Sequence, residues 1–158
     1  MVQLPEAKAS FSVTIVICHH TGDLIDRCLQ SIACSKSGFF SLSTVVVTST
    51  DRVFPNVSTI KEAGGPAHKR NLGAVLYGED SRYLIFLDDD VELSSYCIWS
   101  LVGAMESSPK CGIGFCRILN MERRNEFDDC GSWITGTGFL WARAGNNQLD
   151  RGQYNESC

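Results

Sequence analysis

Three consecutive carboxylates, Asp88, Asp89 and Asp90, follow the apolar run Tyr83 to Leu87, with Glu92 close behind. Like charges a few ångströms apart repel, so three acids at one point are unfavourable unless something answers their charge. A hard divalent cation such as Mg²⁺ or Mn²⁺ would do so. It prefers carboxylate oxygens and often binds through one or two of them plus the phosphate oxygens of a substrate. Asp88 and Asp90 can present such oxygens, with Asp89 between them. The alternative is a solvated turn with Asp90 or Glu92 near the N-terminus of the next helix. The triplet alone leaves both open.

Other residues with chemical reach sit at breaks between apolar segments. Arg70 and Asn71 follow the breaker Gly64-Gly65-Pro66. Near a helix start, Arg70 could give charge-assisted hydrogen bonds to a phosphate, or be an ordinary solvated charge. Asn71 falls on the stripe Ala67, Asn71, Val75 and so points partly inward, either tying down a loop or meeting a ligand. His19 and His20 end the run Val13 to Cys18 and are solvated or touch a ligand. Asp51 closes the polar turn after Val47, and Asp128, Asp129, Asp150 and Glu156 are later carboxylates.

The elements that must position these groups alternate. The β-branched run 13–18 reads as a strand, and Thr21 or Asp23 can cap a helix over 23–34 with the stripe Leu24, Ile25, Cys28, Leu29 and Ile32. Strands follow at 43–48 and 56–60, then a helix from Pro66 to about Gly78, since proline suits the first helical position. The unbroken apolar run before the acids reads as a strand buried on both faces. A helix capped by Ser94 or Ser95 carries Ile98, Leu101, Val102 and Met105 on one face and stops at Pro109. Strands at 112–118 and 136–142 flank an irregular stretch, 120–130. Strand–helix alternation implies βαβ units and a largely parallel sheet, outside whose carboxyl ends ligands bind. The expected organisation is a lead-in (1–10), one domain (11–143) and a polar tail (144–158).

Bulk properties exclude several classes. The 158 residues suffice for one cored domain, and 44% hydrophobic with 20% charged residues is the balance of a soluble globular chain. A net charge of −4 without a basic run argues against nucleic acid. No apolar stretch approaches the roughly 18 residues a membrane span needs. The first ten residues lack a signal-peptide core, so the expected location is the cytoplasm. Eight cysteines contain no C-x-x-C pair, and Cys18, Cys28, Cys97 and Cys116 lie in apolar segments, which reads as packing. Neither a dinucleotide G-x-G-x-x-G after the first strand nor a phosphate-loop motif occurs. A nucleotidyltransferase would want a glycine-rich basic loop where Cys18-His-His-Thr-Gly-Asp23 stands.

In this order the motifs resemble the family 2 glycosyltransferases, inverting enzymes of the GT-A fold. Val13 to Cys18, its turn and the helix with Cys28-Leu29-x-Ser31 are similar to the family's opening strand and helix. Gly65-Pro-Ala-His-Lys-Arg70-Asn71-Leu-Gly73-Ala74 is similar to its G-x-a-x-a-R-N-x-G segment, and Tyr83 to Asp90 to its strand ending in D-x-D. Gly131-Ser-Trp133-Ile-Thr135-Gly136-Thr-Gly138 and the following Phe-Leu-Trp-Ala-Arg143 are similar to the segment beside the acceptor site. The likeness spans residues 12–143. It implies a three-layer α/β/α GT-A sandwich, here truncated. It further implies a nucleoside-diphosphate sugar donor, Mn²⁺ or Mg²⁺ held by Asp88 and Asp90, and a glycan, lipid or other hydroxyl acceptor. Donor contacts would come from Arg70, Asn71, Asp88, Asp89, His19 and Asp51.

Two departures qualify the resemblance. Where the family places a base-reading carboxylate after its second strand, this chain has Thr48, with Asp51 as a substitute. The family also carries its general base, commonly in a Glu-Asp pair, on a helix that would begin where this chain stops, at Cys158. Glu156 and Asp129 are the candidates left for that role. The expectation is therefore a chain that keeps the donor half of the site and lacks part or all of the acceptor half. The alternative is a non-catalytic nucleotide-sugar- or metal-binding remnant.

Overall fold

The computed structural model describes residues 11–144 and 147–154. The chain divides into two units, Met1–Trp99 and Ser100–Cys158. The first is α/β. Its sheet has four parallel strands in the order β3-β2-β1-β4: β1 (Ser12–His19), β2 (Ser41–Thr48), β3 (Ser58–Lys61) and β4 (Tyr83–Asp88). Helices α1 (Leu24–Ala33) and α2 (Pro66–Tyr77) make the crossovers β1–α1–β2 and β3–α2–β4, as parallel pairing requires. The expected α/β class with a parallel sheet flanked by helices is what forms.

β1 is the centre. It pairs with β2 on one side and β4 on the other, and Val13, Ile15, Val16 and Ile17 are wholly buried beside Val45, Val46 and Val47 of β2. The expectation that the strand leading into the acids is buried on both faces is not met. Among the described residues β4 pairs only with β1, so it is an edge strand, and Phe86 is 46% exposed. An apolar run reports that a strand belongs to a sheet, not how many neighbours cover it.

Helix α1 buries Ile25, Cys28 and Ile32 as its spacing requires, while Leu24, in the first turn, stays exposed. Asp23 is the N-cap residue but makes no capping bond; its carboxylate faces Arg52 instead. Helix α2 starts on Pro66 and ends before Gly78, as read from the sequence, but its inward face differs. Ala67, Asn71 and Val75 are all exposed, and Lys69 and Gly73 are buried. The reason is contact distance. A Cβ on Gly73 would lie 2.5 Å from Cγ1 of Val16, so only glycine lets the helix backbone come this close to β1.

Helix α3 (Cys97–Ser107) buries Ile98 and Val102. It begins later than the serines suggested, with the Ser94 carbonyl accepting the Cys97 N–H at 2.9 Å. Neither Asp90 nor Glu92 is therefore in its first turn.

The second unit is built from short antiparallel pairs. β5 (Ile118–Leu119) pairs with β6 (Phe127–Asp129), and β7 (Ser132–Ile134) forms a hairpin with β8 (Leu140–Ala142). Of the strand expected over 112–118 only its last residue pairs, and the stretch taken as irregular contains β6. The expected strand over 136–142 is half turn: Gly138 sits at φ +85°, its N–H on the Thr135 carbonyl, and pairing starts at Leu140. Phe127, Cys130 and Ala144 form a small core against Leu119 and Tyr154, and Leu149 bridges to Glu126.

Candidate functional site

Parallel register decides which polar residues meet. Cys18 of β1 stands opposite Asp88 of β4, and His19 opposite Thr48 of β2. The carboxyl ends of β1, β2 and β4 therefore bring residue 19, the turn 48–51 and the acids 88–90 to one edge of the sheet. The first turn of α2 joins them there: Cys18 donates its S–H to the Pro66 carbonyl at 3.5 Å. Such an edge is where open α/β sheets bind ligands.

Each acid of the triplet has a different surrounding. Asp88 is exposed and accepts a charge-assisted hydrogen bond from Arg70 at 2.5 Å. Asp89 is turned inward and holds the imidazole Nδ1 of His19 at 2.7 Å. Asp90 is exposed in the turn that follows β4. The segment beyond is fastened to α1. Ser31 accepts the Leu93 N–H at 3.0 Å, and Arg27 pairs with Glu92 at 2.7 Å. His19 is only 2% exposed, with Phe54 edge-on to its ring, whereas its neighbour His20 is exposed.

Among the described residues no three His, Cys, Asp or Glu side chains gather as a set that could hold a metal. Asp88 and Asp90 are both exposed, and Asp88 is bonded to Arg70.

Lys69 is the residue that sequence reasoning missed. It is 2% exposed, and its ammonium donates to the His19 carbonyl and the Ser49 hydroxyl, each at 2.6 Å. Lys69 thus ties the ends of β1 and β2 to the first turns of α2. Two signals pointed to it. It stands where the family's segment has a small residue, and it lies four positions before Gly73, on the face that glycine turns inward.

The turn after β2 is held by its own hydroxyls. Thr48 is wholly buried, and its Oγ1 accepts the Thr50 N–H at 3.1 Å. Asp51 points outward and pairs with Lys61. Asn71 is exposed, so the inward orientation expected for it is not found. Arg52 lies over the Phe54 ring and bonds Asp26, holding that carboxyl below its ordinary value. Burial raises the Cys18 thiol, an effect that Arg70 partly offsets. Burial, with Asp89 and Asp90 adding to it, pushes the Cys28 thiol up to about 12.

The later carboxylates belong to the second unit. Asp129 is half-buried and accepts the Gly131 N–H at 2.8 Å, while Asp128 is exposed. Asp150 pairs with Arg117 at 2.7 Å and accepts the Gly152 N–H at 2.9 Å. Glu156 lies outside the described residues.

No protein family and no curated protein matches the chain. Among solved structures it is similar to the crystal structure of S. aureus TarS 1-349, at 16% identity and a TM-score of 0.46. The likeness covers 60% of this chain and 32% of that one, so it spans about a third of that solved chain.

Proposed function

We propose that this chain belongs to a glycosyltransferase that takes a sugar from a nucleoside-diphosphate donor to an acceptor hydroxyl. The observation that supports it is the meeting, at the carboxyl edge of one parallel sheet, of Asp88, the first of the D-x-D acids, with Arg70 from the family-like second helix. Asp88 and Asp90 would hold Mn²⁺ or Mg²⁺ against the diphosphate. When bound, that cation neutralises charge developing on the leaving nucleoside diphosphate. Arg70 supplies a second positive charge at the same place, with a planar fork suited to phosphate oxygens. Asn71 and Asp51 are further members of the donor-contact set that the resemblance implies, while His19 is buried against Asp89. The acceptor is a glycan, a lipid or another hydroxyl compound.

A second reading is binding without transfer. An inverting transfer needs a base for the attacking hydroxyl. The observation favouring this reading is that Asp129 and Asp150 are engaged by backbone N–H groups and, for Asp150, by Arg117.

Calorimetric titration with UDP, GDP and dTDP, each with and without Mn²⁺, tests the proposal. Metal-dependent binding of one nucleotide is expected, and Asp90→Ala should abolish it while leaving the unfolding transition nearly unchanged, because an exposed acid contributes little packing. No binding by the folded chain would refute the donor site. Binding without turnover of the matching sugar donors would select the second reading.

A further inference from the structure

We propose that the hairpin of β7 and β8 is a membrane-contact element whose tip seats in the interface of a lipid bilayer. Its register puts Trp133 opposite Trp141 and Ile134 opposite Leu140. Successive side chains of a strand take opposite faces, so the tryptophan pair lies on one face and the aliphatic pair on the other. All four, with Phe139 at the turn, are between 57% and 74% exposed. Neither face is covered, and a two-stranded hairpin alone is marginal in water. Exposed apolar clusters of this kind mark protein or membrane contacts. A protein partner laid against the hairpin would cover one face and leave the other wet. A lipid interface surrounds an inserted hairpin and covers both.

The order of groups along the hairpin fits that medium. Phe139, Ile134 and Leu140 are nearest the turn and the tryptophans come next. Arg143 stands at the base, its guanidinium 5.4 Å from the Trp133 ring centre and 5.5 Å from that of Tyr154. Apolar groups, then tryptophan, then a cation is the series met on passing from acyl chains through the interface to lipid phosphates. From Gly131 to Leu149 the chain has no acidic residue, so no carboxylate within that stretch opposes a phosphate. The tip also brings polar groups that are already bonded. The Thr135 N–H donates to the Phe139 carbonyl and the Gly138 N–H to the Thr135 carbonyl, each at 2.9 Å. Thr135 Oγ1 accepts the Phe139 N–H at 3.0 Å and lies 3.1 Å from the Thr137 hydroxyl. Groups bonded to one another enter an apolar medium at far lower cost than groups stripped of water. The proposal does not depend on the donor site, whose acids and Arg70 belong to the first unit.

The test mixes the full chain with vesicles of phosphatidylcholine and phosphatidylglycerol and separates bound from free protein by flotation. Tryptophan emission is read alongside, with lipids brominated on the acyl chain as quenchers. Expected are flotation of the chain, a blue shift of its emission and quenching by the brominated lipid. Phe139→Ser combined with Leu140→Ser should weaken partition by at least about tenfold, because two exposed apolar side chains no longer enter the lipid. Val53→Ser, at an exposed valine of the first unit, should bind like the parent. A folded parent that stays in the free fraction would overturn the proposal. So would a tip variant that floats like the parent, or a Val53→Ser loss as large as that of the tip variant. Quenching is read on the parent and needs no variant to fold, and floated protein with unquenched tryptophans would also overturn the proposal. A parent that dimerises through the hairpin and does not float, with the tip variant monomeric, would assign the surface to a second copy instead.

Discussion

The guanidinium of Arg70 holds an oxygen of Asp88, the carboxylate with which the D-x-D triplet begins. At the proposed donor site a cation and an arginine would compete for the same acid, and Arg70 would exchange Asp88 for phosphate oxygens when a metal-bound diphosphate arrived. Arg70→Gln should act in opposite directions on the two ligands. Mn²⁺ alone should bind more tightly, because Asp88 is released. UDP, GDP or dTDP in the presence of Mn²⁺ should bind about tenfold to a hundredfold more weakly, as expected for losing hydrogen bonds to a charged group. Titrating metal and nucleotide separately checks both signs, and equal losses for both would contradict the exchange.

Lys69 should matter for stability more than its place on an exposed helix suggests. Lys69→Ala removes the donor to the buried His19 carbonyl and leaves a void, so a loss of about 2–4 kcal/mol in urea unfolding is expected. Lys69→Met fills the volume and loses less. Equal stability of all three chains would mean the ammonium is not needed there.

Gly73→Ala should destabilise the fold although alanine is the better helix former. The added methyl meets Cγ1 of Val16, a fully buried branched side chain with no room to retreat. The strain, about 1–3 kcal/mol, exceeds the roughly 1 kcal/mol that helix propensity returns. The double variant with Val16→Ala should show favourable coupling in a double-mutant cycle, and strict additivity would deny the contact.

The buried Cys28 thiol predicts an alkaline limit. Its value rises from 9.0 to about 12 in the folded chain, so the native state keeps a proton that the unfolded state releases. That contribution is complete below pH 9 and is lost as pH climbs from 9 towards 12. Cys28→Ala should flatten the fall in stability over that window relative to the parent. In the folded chain at pH 8 a thiol reagent should label exposed Cys34 and Cys111 well before Cys28.

The alternation of β1, α1, β2 and β3, the start of α2 on Pro66 and the strand ending in acids were legible from local patterns. Branched apolar runs, helical stripes and Gly-Pro breakers each act within a few neighbours, so the chain carries them wherever it goes. The α/β class and the gathering of residue 19, the 48–51 turn, α2 and residues 88–90 at one edge follow from that order alone.

Which residues touch at that edge was settled only by tertiary structure. His19 finds Asp89 across 70 positions and Arg70 finds Asp88 across 18, pairings that exist only because β1 and β4 lie parallel with Cys18 opposite Asp88. The stripe Ala67, Asn71, Val75 looked like the inner face of α2, yet Gly73 and Lys69 took it. Close approach to Val16 and a donor for the His19 carbonyl outweighed the burial of two small apolar side chains. β4, read as buried on both faces, is an edge among the described residues because strand count depends on the whole sheet. The sequence by itself determined the elements and the chemistry they carry. Register and helix rotation, set by contacts between distant residues, decided which acid meets Arg70 and which one is held inward by His19.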